Sequence, residues 1–470
     1  MTDFMDNRYF ELFNAQKKHQ YNVGNTSYNQ RIKKLNALHR AIQYTYKQAI
    51  REALFADFKK PPIETNLTEI YLVVREIKHA KANLRHWMKR QKVPTPLALL
   101  GTSSYYKYEP KGVCLIMSPW NYPLNLTFSP LVSAIAAGNT IIIKPSELTP
   151  NISKVMATIV KDLFEEHEVA LIEGGVEVSQ ELLKLPFNHI FFTGSPAVGK
   201  IVMAAASKHL TSVTLELGGK SPTIIDETAS IKEAIDSLVW GKYLNNGQTC
   251  IAPDYVLIHS SKKAEFIKAY KEKVLYYYSK DASTSDSYSR VVNNKHFNRL
   301  TNYIEDAKTH GANIELGGNF DVGDNFIEPT VISNLKEEAK LLNEEIFGPI
   351  LPLKTFDEID EVITYLNNKE KPLALYIYSQ SNETIEKIIS NTRAGTTCIN
   401  TNALQVSNHN LPFGGSNGSG IGKTHGFFGF QDFSNQRAVL RRHTKGPLNL
   451  LLPPYTKFKQ KLADLTIKWF

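Results

Sequence analysis

The sequence predicts an α/β fold built on a doubly wound parallel sheet, and two patterns carry that expectation. Between residues 112 and 217, short apolar segments (GVCLIMS, NTIIIK, EVALIEG, HIFFTG, SVTLEL) alternate with stretches of helical length, as parallel strands joined by crossover helices do. The strand ends also carry polar or glycine-rich turns: P-W-N-Y-P (119 to 123), K-P-S-E (144 to 147), G-G (174, 175), G-S-P-A-V-G (194 to 199) and E-L-G-G-K (216 to 220). Ligands of doubly wound sheets bind beyond the carboxyl ends of the strands, so chemistry is expected at these turns.

The elements follow in order. Residues 29 to 58 set Ile32, Leu35, Leu38, Ile42 and Ile50 among Lys, Arg and Gln, a helical spacing with one apolar face. Residues 75 to 92, REIKHAKANLRHWMKRQK, are densely basic. They read as a solvated helix face, because no zinc-finger spacing or aromatic RNA-binding signature accompanies them, and nucleic acid is not expected as a partner. Pro123, Pro150 and Pro196 mark helix starts, with Ser195 as an N-cap before Pro196. No low-complexity linker or internal repeat interrupts the chain.

At 470 residues the chain exceeds one ordinary core, so two or three sub-domains are expected. Cys114, Cys250 and Cys398 are an odd number with no C-x-x-C pair, which argues against a disulfide framework or a structural zinc site. No metal is expected, and a reducing compartment fits. The N-terminus, MTDFMDNRYF, carries acids where a signal peptide needs a basic and then an apolar stretch. No run of about 18 apolar residues occurs, so a soluble cytoplasmic protein is expected. A formal charge of +9 is modest for this length.

Cys250 stands apart from the other cysteines. It ends N-N-G-Q-T-C, after a glycine and small polar residues, whereas Cys114 in GVCLIM and Cys398 in TTCIN read as structural. A catalytic thiol must be activated, because a free cysteine is only a few per cent thiolate near neutrality. Glu216 beside it would raise the thiol pKa, so its better role is base toward water. Asn121 and the Cys250 backbone N–H are candidate donors to an oxygen that becomes negative when a thiolate adds to a carbonyl. Gly194 and Ser195 offer N–H groups and a hydroxyl to a phosphate at a helix N-terminus, although G-S-x-x-x-G is not the G-x-G-x-x-G fingerprint. Lys144 would add a cation and Glu147 a ribose contact. Thiol, carboxylate and amide together describe acyl chemistry through a covalent intermediate.

Seven ordered motifs then carry a resemblance. P-W-N-Y-P, K-P-S-E, F-T-G-S-x-x-x-G, L-E-L-G-G-K-S-P, G-Q-T-C, E-E-I-F-G-P (344 to 349) and L-P-F-G-G (411 to 415) occur in the order and spacing of the aldehyde dehydrogenase superfamily, over roughly residues 5 to 440. G-Q-T-C-I-A-P-D-Y and the F-x-x-F-S-x-x-R ending near Arg437 resemble its class 3 branch of fatty and aromatic aldehyde dehydrogenases. The resemblance implies an aldehyde dehydrogenase-like fold. A dinucleotide-binding domain (1–84 and 105–216) would join a catalytic domain (217–410) and a bridging element (85–104 and 411–445) that pairs subunits into a homodimer; the family does not fix the C-terminal tail (446–470). It implies that Cys250 forms a hemithioacetal, with Asn121 holding the oxyanion, that hydride passes to NAD or NADP, and that Glu216 activates water against the thioester. It further implies that Trp120 lines the cofactor site, that Glu345 holds the nicotinamide ribose and that Phe347 packs near the ring. Gly194, Ser195 and Gly199 would line the pyrophosphate, and Lys144 with Glu147 would meet the adenosine ribose.

Three other readings stay open: a cofactor-independent thiol esterase or hydrolase using the same residues, a coenzyme A-acylating enzyme, and an inactive binding relative. The substrate expected is a medium- or long-chain aliphatic or aromatic aldehyde. In the tail, Tyr455, Phe458, Leu462, Leu465 and Trp469 recur at spacings of three and four with lysines between them, which predicts an amphipathic helix. Docking on the chain's own dimer is the preferred reading and a membrane surface the alternative.

Overall fold

A strand covered on both faces is mainly apolar, and five successive segments of this chain come close to that condition, with polar residues such as Lys144, Thr193 and Glu216 near their carboxyl ends. In the computed structural model, which describes residues 7–469, they are strands. The acidic stretch 1–6, the Trp469 side chain and Phe470 lie outside the described residues. In chain order the strands are β1 (Gln91–Val93), β2 (Thr102–Pro110), β3 (Val113–Met117), β4 (Thr140–Lys144), β5 (Val169–Leu171), β6 (His189–Gly194), β7 (Ser212–Leu217), β8 (Pro222–Ile225) and β9 (Tyr255–His259). There follow β10 (Asn313–Leu316), β11 (Phe320–Asp321), β12 (Phe326–Ile327), β13 (Thr330–Ser333), β14 (Ile350–Phe356), β15 (Ala374–Tyr378), β16 (Thr396–Ile399), β17 (Gly420–Ile421) and β18 (Ser434–Arg442).

The first large sheet has the order β17-β7-β6-β3-β4-β5, parallel except for β17, whose Gly420 pairs with Glu216 of β7. The second has the order β10-β13-β14-β9-β8-β15-β16 and is parallel except for β10. A third sheet, β1-β2-β18, is antiparallel and joins residues 91–110 to 434–442. β11 and β12 form a separate two-stranded ribbon.

Helix starts largely follow the local chemistry. Pro150 and Pro196 each occupy a first helical turn, and the Ser195 hydroxyl accepts the Val198 N–H at 3.4 Å. The helix after β3 begins instead at Asn125, two residues past Pro123. A residue distant in sequence fixes that start, since Glu69 Oε2 accepts the Asn125 N–H at 2.8 Å. Glu69 is itself fully buried against Lys60, 2.7 Å away, whose ammonium lies 4.0 Å from the centre of the Tyr122 ring. The pair therefore clamps the segment that carries Asn121.

Residues 29 to 58 do not form one continuous helix. Helices Tyr28–Arg40 and Lys47–Phe58 flank a π-turn at Ala41–Thr45, although Leu35, Leu38, Ile42 and Ile50 still face one core. The basic stretch lies mostly on helix Tyr71–Trp87, which buries Val73, Ile77, Ala80, Leu84 and Trp87 and leaves Arg75, Lys78 and Arg85 exposed. The tail forms helix Lys457–Trp469, with Tyr455, Phe458, Leu465 and Ile467 exposed.

Candidate active site

The stretch N-N-G-Q-T-C takes a backbone course that few sequences tolerate. Asn245, Asn246 and Gly247 have φ of 54°, 59° and 71° in succession, a left-handed run that asparagine and glycine accept most readily. Side-chain bonds hold it: Asn245 Nδ2 donates to Asn121 O at 2.8 Å and Asn246 Nδ2 to Ser289 O at 3.0 Å. A Cβ at Gly247 would stand 2.3 Å from Gly348 O, so no other residue fits. Gln248 Nε2 donates to Asn245 O and Arg290 O, each at 3.0 Å, and its Oε1 accepts the Val292 N–H at 2.9 Å. The segment is therefore a rigid bracket that delivers Cys250 to the gap between the two large sheets.

Asn121 meets the same bracket. Its Nδ2 donates to Gln248 O at 3.0 Å, fixing the side chain through one N–H, while a primary amide has a second N–H to give. Glu216, on the carboxyl-terminal part of β7 and 6% exposed, accepts the Thr424 hydroxyl at 2.6 Å. Burial pushes its carboxyl up to about 7, a value suited to accepting a proton near neutrality. Cys250 is half-buried. Burial first, then the carboxylates of Glu216 and Glu345, push its thiol up to about 12, against the pull of the Cys250 and Ile251 backbone N–H groups.

Two cavities meet at these residues. One, of about 320 Å³, is lined by Trp120, Asn121, Gly194, Ser195, Glu345 and Phe347. The other, of about 310 Å³, has a mainly apolar wall that includes Leu67, Leu72, Leu126, Trp240 and Val406. Leu126, Glu216, Cys250 and Phe413 belong to both. Sulfur and carboxylate thus stand at the junction of an apolar chamber and a chamber that opens onto the glycine-serine turn.

The second chamber fits a dinucleotide by its donor set. Gly194 ends β6 and Ser195 caps the following helix, so this end of the chamber carries the N–H groups of a helix N-terminus, a setting that suits a phosphate. Trp120 and Phe347 meet edge to face with ring centres 5.4 Å apart, and Phe347 is held at φ 49°, rare for an aromatic residue. Glu345 Oε1 accepts the Gly219 N–H at 3.0 Å, and burial pushes this carboxyl up to about 7 as well.

The remaining expected residues lie off the wall of this chamber. Lys144 Nζ donates to Pro145 O at 2.8 Å and to Glu147 Oε2 at 3.2 Å, so cation and carboxylate satisfy each other. At Gly199 a Cβ would stand 2.7 Å from the Leu217 side chain, which makes this glycine a point of close helix–strand packing. Sequence reasoning missed Thr424, which holds Glu216, and His296, Arg299 and Tyr303, which line the chamber. The glycine-rich run S-G-I-G-K-T-H-G after L-P-F-G-G was the signal available for Thr424.

Residues 8–439 match the model of the aldehyde dehydrogenase family. The 4,4'-diaponeurosporen-aldehyde dehydrogenase of Staphylococcus aureus (strain NCTC 8325 / PS 47) is 43% identical over 430 residues, covering 91% of this chain and 93% of that protein. Aldehyde dehydrogenase family 3 member B3 of Mus musculus is 41% identical over 453 residues, covering 96% and 93%. The solved substrate-bound state of Staphylococcus aureus AldH superposes with a TM-score of 0.93 at 41% identity, covering 97% of this chain and 99% of that one.

Proposed function

Because the chain belongs to the aldehyde dehydrogenase family and oxidises aldehydes with NAD or NADP, we propose that its substrates are medium- or long-chain aliphatic or aromatic aldehydes and that Cys250, Glu216 and Asn121 carry the reaction. The observation that supports this most is the junction itself: Cys250 and Glu216 line both the apolar chamber and the dinucleotide-shaped one. The Staphylococcus aureus relative named for an aldehyde of 4,4'-diaponeurosporene points to the same substrate class.

In this reading Cys250 loses its thiol proton to water and attacks the aldehyde carbon as the thiolate. A C–S bond forms and the carbonyl pair moves to oxygen, where the free Asn121 N–H and the Cys250 backbone N–H receive it. Trp120, Gly194, Ser195, Glu345 and Phe347 would hold NAD or NADP, which would supply the acceptor for the hydride that leaves this carbon. The resulting thioester faces Glu216, which takes a proton from water as the oxygen adds to the acyl carbon. The C–S bond then breaks, the thiolate is restored and a carboxylic acid departs. A carboxylate able to activate water favours hydrolysis over acyl transfer to coenzyme A.

Eight of the expected residues gather at the two chambers, with Trp120, Gly194, Ser195, Glu345 and Phe347 toward the nicotinamide and pyrophosphate. Gly199 belongs with the pyrophosphate turn, where it lets helix and strand pack closely, and Lys144 with Glu147 meets the adenosine ribose. The dinucleotide domain comprises 1–84 and 105–216, the catalytic domain 217–410, and the bridging element 85–104 with 411–445. Its antiparallel sheet makes the homodimer contact, and tail 446–470 docks on the partner subunit. No helix among the described residues is long and apolar enough to cross a membrane, and the enzyme works in the cytoplasm.

The test is reduced-nicotinamide absorbance across an aldehyde chain-length panel with each cofactor, for wild type and Cys250→Ala. Turnover should favour the longer and aromatic aldehydes and vanish in the variant. Activity confined to one short polar aldehyde, or ester cleavage indifferent to cofactor, would overturn the reading.

A further inference from the structure

Beyond the reacting groups, the fold gathers one more set of metal-ligating side chains. Glu76 lies on helix Tyr71–Trp87, His409 lies just before L-P-F-G-G, and His425 immediately precedes helix Gly426–Asp432. One ligand atom from each lies within 4.8 Å of the others. Glu76 and His409 are 2% and 5% exposed. Glu76 Oε1 accepts the Gly426 N–H at 2.9 Å. Its Oε2, both ring nitrogens of His409 and Nδ1 of His425 have no hydrogen-bond partner among the described residues. Buried polar atoms in such number normally bond to something.

We propose that Glu76, His409 and His425 bind one divalent transition-metal ion of the zinc class. One carboxylate oxygen and two imidazole nitrogens form a ligand set that zinc uses with a fourth position open. Glu76 and His425 also line the apolar chamber, so that position opens toward the substrate space. The Gly426 N–H orients the carboxylate and leaves Oε2, 3.6 Å from His409 Nδ1, for the ion. Arg75 and Lys78 share an outer pocket with His79 and His409 and oppose any cation there. The site therefore depends on the Glu76 charge and on nitrogen ligands, which select against calcium and magnesium with their need for oxygen. None of its three ligands is among the residues given roles in the aldehyde reaction. It also departs from the expectation, drawn from cysteine spacing, that the chain holds no metal.

The test uses the untagged full-length chain carrying Cys250→Ala, so that the nucleophile cannot hold the ion. After chelator treatment, cobalt(II) is titrated as the spectroscopic probe. One cobalt per chain is expected, with the intense visible bands of four- or five-coordinate cobalt, no thiolate charge-transfer band, and displacement by zinc. His409→Gln and Glu76→Gln should each weaken binding by at least roughly 10- to 100-fold, the loss that follows removal of a residue that merely orients a ligand. No saturable binding, the pale spectrum of six-coordinate cobalt, or affinity unchanged in both variants would overturn the site and leave ordered water as its occupant. Should a substitution prevent folding, zinc added to the Cys250→Ala chain decides the matter: a rise in Tm supports the site and an unchanged Tm refutes it.

Discussion

Thr424 Oγ1 donates to Glu216 Oε1 at 2.6 Å, across 208 positions of sequence. The bond stabilises the ionised carboxylate and opposes the burial that raises it to about 7. A hydrogen bond to a charged group is worth about 1.5 kcal/mol or more, close to one pH unit. In Thr424→Val the acid limb of the kcat–pH profile should therefore move up by about one unit, with KM little changed, and Thr424→Ser should restore it. An unshifted limb in the valine variant would detach Thr424 from the base.

Glu216 also links pH to stability. Its folded pKa, about 7, lies above the ordinary 4.5, so the native state favours the protonated form. That contribution is fully present below about pH 4.5 and is lost as pH rises through 7. Glu216→Gln cannot ionise and escapes the loss, so its stability relative to wild type should grow between about pH 5 and about pH 8, by up to about 3 kcal/mol. Thermal melts of the two proteins across that window measure the gap, and a gap independent of pH would contradict the assignment.

The resting thiol of Cys250 should be slow to alkylate. With its pKa pushed up to about 12, the iodoacetamide rate on the cofactor-free enzyme should climb with pH and show no plateau below about pH 10. Glu345, itself raised to about 7, opposes the thiolate only when ionised. Glu345→Gln should thus speed alkylation above neutrality and have little effect well below it. A rate plateau near pH 7 in wild type would mean a thiolate preformed without cofactor.

The Lys60–Glu69 pair is fully buried at 2.7 Å, so removing one partner strands the other charge. Lys60→Met should cost about 3–5 kcal/mol in denaturant unfolding. Adding Glu69→Gln should recover part of that loss, because the second change removes the stranded charge. Equal stability of Lys60→Met and wild type would show that the ion pair does not hold the Asn121 segment.

How much of this was legible in the sequence depended on distance along the chain. β3 to β7 could be read directly, since strands buried on both faces leave continuous apolar runs, and Ser195 before Pro196 announces its helix locally. The start at Asn125 could not be read, because Glu69 sets it from 56 residues away. The π-turn at Ala41–Thr45 was hidden for another reason: Leu35, Leu38, Ile42 and Ile50 keep one apolar face through it. Cys250, Glu216 and Asn121 were nameable through their motifs, yet the rigidity of N-N-G-Q emerges only from partners at Asn121, Ser289 and Arg290. The bond between Lys144 and Glu147, three residues apart, leaves no mark in composition.

β17 and Thr424 enter the ribosome's exit path long after β7 has been made; β17 pairs with the backbone of Glu216 and Thr424 hydrogen-bonds its carboxylate. A nascent chain can thus complete five parallel strands, β7-β6-β3-β4-β5, while the proposed base at 216 still lacks its hydroxyl partner, and that partner arrives only with the final stretch of synthesis. Prematurely terminated products would carry the sulfur of Cys250 without the hydroxyl that holds Glu216.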